Sequence, residues 1–88
     1  MSYIQKILPL REPCHRMLAR AAALKCDAAE VAHRIGDLPH WDRAGLAALV
    51  VEHQALILRS HACTLMAHGQ HVLGKQYAET ARRLEGKR

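Results

Sequence analysis

The sequence predicts an all-α fold, a small bundle of three to four helices built on one long central helix and dimerising with a second copy. Three observations predict it. Of the 88 residues, 15 are Ala and 12 are Leu, which stand high on the helix-propensity scale. Val, Ile and Thr together contribute only 10 residues and Phe none, so the types that favour strands are scarce. Apolar positions also recur at three-and-four spacing along most of the chain. A chain of this length forms one domain with a small core, residues 1–88.

Residues 1–12 read as an N-terminal turn. Ser2 with Gln5 makes a capping box ahead of Ile4, Ile7 and Leu8, and Pro9 interrupts the turn. A helix over 13–26 follows. Pro13 suits its first position, and Cys14, Met17, Leu18, Ala21 and Leu24 form its apolar stripe. Arg16 and Arg20 lie four apart on the opposite side. Asp27 and Glu30 form a second capping pair, which predicts a separate short helix over 27–36 with Ala28, Val31, Ala32 and Ile35 inward. Gly36 ends it, and Asp37-Leu38-Pro39 connects to the next element.

The longest helix is expected over 40–68. One seam carries Ala44, Ala48, Val51, Ala55, Leu58, Ala62 and Leu65 at alternating spacings of four and three, the heptad pattern of close helix packing. Leu46, Leu49, Val50, Leu56 and Ile57 occupy the other side. A helix apolar on two sides needs cover on two sides. The other helices cover one side well and the second only in part, which predicts a homodimer with the long helices near its two-fold axis. Gly69 and Gly74 flank a turn, and a last helix over 70–85 buries Leu73, Tyr77, Ala81 and Leu84. Residues 86–88 are a basic tail.

Composition narrows the function classes. Thirteen Lys and Arg against eight Asp and Glu give a net charge of +5, which suits an anionic partner. No apolar run approaches the ~20 residues of a membrane span, and no secretory signal opens the chain. Three cysteines, an odd count without zinc-like spacing, read as reduced thiols of a cytoplasmic protein. Seven histidines are unusual in this length, and His53, His61, His68 and His71 fall within about 80° on a helical wheel. Such a stripe is a candidate metal site. Yet only His68 and His71 are three apart, with Gly69 between them, and no Glu-x-x-His pair supports them. No metal and no cofactor is therefore expected. No nucleophile elbow or phosphate-binding glycine loop is present, so no catalytic residue is assigned.

Residues 28–46 resemble the first half of a helix-turn-helix in Val31-Ala32 and Ile35-Gly36, whereas Asp37, Pro39 and Asp42 depart from the pattern. With the basic tail this makes nucleic-acid binding the alternative reading, carried by Arg16, Arg20, Arg82, Arg83, Lys87 and Arg88. Residues 62–85 resemble the end of a histidine-phosphotransfer bundle in Ala62-Cys63-Thr64-Leu65 and Ala81-Arg82-Arg83-Leu84-Glu85. The phosphoryl-accepting position there falls on Cys63, so no phosphorelay role is carried over. The favoured reading is a non-catalytic protein-binding module, an adaptor, chaperone subunit or inhibitor, in size and build like the compact inhibitors encoded by phages. Its partner-binding residues are Trp41, Arg43, Leu46, Leu49, Val50 and Ile57, an apolar helix face with a Trp and Arg anchor.

Overall fold

The computed structural model describes residues 12–86. They form three helices and no strand: α1, Glu12–Gly36; α2, Arg43–Ala67; and α3, His71–Gly86. The Ser2–Gln5 capping box, the turn through Leu8, and Lys87 and Arg88 lie outside the described residues.

The expected break near Asp27 is absent, and residues 13–26 and 27–36 are one helix. Two features favour continuity. No Gly or Pro stands between Cys14 and Ile35, and Asp27 and Glu30 are exposed side chains inside the helix instead of caps. The apolar positions of the two expected pieces also share one face: Ala21, Ala28 and Ile35 are seven apart, as are Leu24 and Val31. At 25 residues α1 equals α2, so the described residues hold two long helices where the sequence predicts one.

Each end of α2 is fixed locally. Asp42 caps its N-terminus, its carboxylate accepting from the Gly45 amide at 2.9 Å. A Cβ on Gly45 would lie 2.5 Å from that carboxylate, so glycine at this position makes room for the cap. The C-terminus closes in a Schellman motif: Gln70 N–H donates to the Leu65 carbonyl at 2.8 Å and Gly69 N–H to that of Met66 at 3.0 Å. Gly69 sits at φ 84°, in the left-handed region that this motif uses. The helix therefore starts and stops slightly inside the expected 40–68.

The middle helix packs on both of the others, while no Cα of α1 comes within 8 Å of one of α3 among the described residues. The buried Ser60 hydroxyl donates to the Ala21 carbonyl at 2.9 Å, and Arg34 pairs with Glu52 at 3.3 Å. As α1 proceeds from 21 to 34, α2 recedes from 60 to 52, so the two run antiparallel. On the other side Arg59 pairs with Glu85 and Gly74 lies against Ala62 and Met66, which makes α3 antiparallel as well. The helices flanking the connector thus lie side by side. A helix-turn-helix crosses its two helices at about 90–120°, so residues 28–46 do not have that geometry.

The fully buried positions of both seams are mostly small residues. Fully buried are Ala21, Ala28 and Val31 of α1, Ala55, Ser60, Ala62 and Ala67 of α2, and Gly74 and Ala81 of α3. Glycine at 74 is a packing residue inside α3, not the turn residue expected. A Cβ there would stand 2.7 Å from Met66 Cγ and 3.1 Å from the Ala62 carbonyl oxygen. The predicted heptad seam is the α2–α3 contact only from Val51 onward. Ala44 and Ala48 are exposed, because the 16 residues of α3 are too few to reach them. The inward face of α3 is centred on Gly74 and Ala81. Tyr77 and Leu84 are half-buried at its side, and Leu73 is exposed instead of buried. No helix among the described residues is long and apolar enough to cross a membrane.

Candidate functional site

With α1 on one side of α2 and α3 on another, a part of α2 between them is left largely open. On a wheel of 100° per residue, Leu46, Val50, Gln54, Ile57 and His61 fall within about 80°. Ser60 and Ala67, which face α1, and Ala55 and Ala62, which face α3, lie on either side of this stripe. Leu46 is 44% exposed and Val50 37%, and Ile57 is half-buried. Near its middle, His53, Gln54, Ile57 and Leu58 meet Leu84 of α3 around an open groove of about 520 Å³. Farther along, the His61 and Tyr77 rings lie 6.0 Å apart at 52°, which ties the stripe to the edge of α3.

The structure brings together most of the predicted partner-binding residues. Leu46, Val50 and Ile57 share the open stripe, and Arg43 stands exposed at its N-terminal end. Trp41, in the connector, is 72% exposed and does not plug the end of the helices. Leu49 departs from the set. It lies seven residues before Leu56 and eleven before Ser60, on the α1 side, and is half-buried there. Sequence reasoning missed Gln54, Leu58 and Leu84. The heptad continuation of Val50 through Gln54 to Ile57 is the available signal for Gln54. Leu84 can be placed only by seeing α3 turn its leucine edge to the groove.

The histidines do not converge. His53 borders the groove, His61 sits by Tyr77, and His68 and His71 are exposed on either side of the Gly69 turn. Among the described residues no group of three or more His, Cys, Asp and Glu side chains is placed to hold a metal ion, so the stripe is not gathered into a site.

The basic residues of the alternative reading are divided. Arg82 and Arg83 both turn to Glu79, at 3.0 and 3.9 Å, which offsets charge on that side of α3. Arg16 and Arg20 are exposed on α1. Arg20 reaches a second cleft, of about 190 Å³, which Arg59 and Cys63 also line. The three thiols are free, and Cys63 is half-buried.

The chain matches no protein-family model, no curated protein and no solved structure.

Proposed function

We propose that this chain is a non-catalytic protein-binding module, of the adaptor, chaperone-subunit or inhibitor kind, acting through the open face of α2. One observation carries the reading. Among the described residues the fully buried side chains are Ala, Val and Ser, whereas Leu46, Val50 and Trp41 remain in water. Fully burying a Leu, Ile or Val side chain contributes about 1.5–3 kcal/mol. In the isolated chain much of that stabilisation is unused, and a partner surface laid on the stripe would supply it. Such a partner presents an apolar helix or groove of its own, with Trp41 and Arg43 as anchors at the rim.

The test is a tagged pull-down from native lysate, with and without nuclease, comparing the wild-type chain with a Leu46→Glu, Val50→Glu double variant. The reading expects a stoichiometric protein that survives nuclease with the wild type and is lost with the variant. Partners shared equally by both chains would remove the face from the account. Partners lost only on nuclease treatment would favour phosphate-driven binding instead.

A further inference from the structure

We infer that the occupant of the open α2 face is a second copy of this chain, in antiparallel two-fold contact centred on Gln54. The inference rests on the docking reading above and names its partner.

Gln54 is the one amide on a stripe whose neighbours are Leu46, Val50, Ile57 and Leu58. Against a purely apolar partner, a buried carboxamide would lose its hydrogen bonds with water and find none in return. Against its own copy it is self-complementary, since an amide both donates and accepts. Position supports the same pairing. Gln54 lies eleven residues after Arg43 and thirteen before Ala67, so a two-fold axis there lays α2 along its copy over nearly the whole helix.

The residues equally distant before and after Gln54 then fit by size. Val50 meets Leu58 four residues out, and Ala47 leaves room for His61 seven residues out. From Leu46 to His61 the stripe holds no Asp, Glu, Lys or Arg, so two chains of net charge +5 can meet there without opposing like charges. The α2 stripe by itself presents only ~400 Å², so a stable pair, which buries ~800 Å² per partner, also brings in the flanking edges of α1 and α3.

Cross-linking tests the pairing. In a chain carrying Cys14→Ala, Cys26→Ser and Cys63→Ala, Gln54→Cys is compared with Glu30→Cys on the exposed side of α1, under mild oxidation. Sedimentation velocity over a hundredfold concentration range accompanies it, on the wild type, Val50→Glu and Gln54→Glu. The expected result is a wild-type dimer, a disulfide-linked dimer of the Gln54→Cys chain, and none of the Glu30→Cys chain. Val50→Glu should be monomeric, and Gln54→Glu should dimerise at least tenfold more weakly because two carboxylates meet at the axis. Both are exposed positions, so the single chain keeps its helices, as circular dichroism would verify. A wild-type monomer throughout overturns the second copy as occupant, while the docking reading is still judged by the pull-down. A dimer lost in Val50→Glu, with no cross-link in the Gln54→Cys chain, overturns the Gln54-centred pairing and keeps the face. A dimer indifferent to Val50→Glu overturns both.

Discussion

The two sides of α2 that pack on other helices differ from the side left largely open. Toward α1 it presents Ser60 and Ala67, and toward α3 Ala55 and Ala62, with Ser60 reaching Ala21 and Ala62 lying against Gly74. The remaining side carries Leu46, Val50 and Ile57. In a self-sufficient monomer the large side chains would fill the interior and the small ones would be free to lie outside. Here the fully buried positions are mostly small, larger groups such as Leu49, Leu56 and Leu65 are only half-buried beside them, and Leu46 and Val50 are left outward. Two consequences follow. The packed seams should tolerate no added volume, and the open side should tolerate truncation as long as the chain is alone.

The largest effect is expected where the seam is tightest. Ala81 is wholly buried, and Ala81→Leu should cost about 1–3 kcal/mol of stability in urea unfolding followed by circular dichroism. An unchanged midpoint would mean that α3 is held more loosely than its contacts imply. Asp42→Ala removes the α2 cap and should cost about 1 kcal/mol in the same assay. Ser60→Ala deletes the hydroxyl bond to the Ala21 carbonyl and should also cost about 1 kcal/mol. Gly74→Ala sharpens the comparison, because two effects oppose. Alanine gains up to about 1 kcal/mol of helix propensity, but its Cβ would stand 2.7 Å from Met66 Cγ, which moves only with the whole Met side chain, and 3.1 Å from the Ala62 carbonyl oxygen. A small net loss, about 0.5 kcal/mol, is expected. The smallest effect belongs to the open side: Val50→Thr at dilute concentration should change stability by less than about 0.5 kcal/mol.

Helical class is legible because the sequence is rich in Ala and Leu and its apolar spacing is regular. The ends of α2 are legible from Asp42 and Gly69, whose chemistry is local. The join in α1 is not, since an Asp and a Glu three apart can cap a helix or simply face water inside one. Only the continuity of Ala21, Ala28 and Ile35 against α2 distinguishes these. Gly74 misleads for a related reason. A glycine in a helical stretch signals a turn or a close approach, and the difference resides in Met66 and Ala62 on another helix. At the site, Leu46, Val50 and Ile57 can be found because periodicity separates them from the heptad seam. The same periodicity cannot show that Leu49 turns to α1, because nothing in it fixes where α1 lies on the wheel.

The central claim is that the large side chains on the outer face of α2 are there to be covered by another chain, first of all a second copy. The most direct measurement is the urea midpoint of the wild-type chain as its concentration is raised a hundredfold. Binding that favours the folded state makes that midpoint depend on concentration. The account predicts a midpoint that climbs steadily for the wild type. A wild-type midpoint that stays fixed across the range would contradict the second copy as the chain that covers this face.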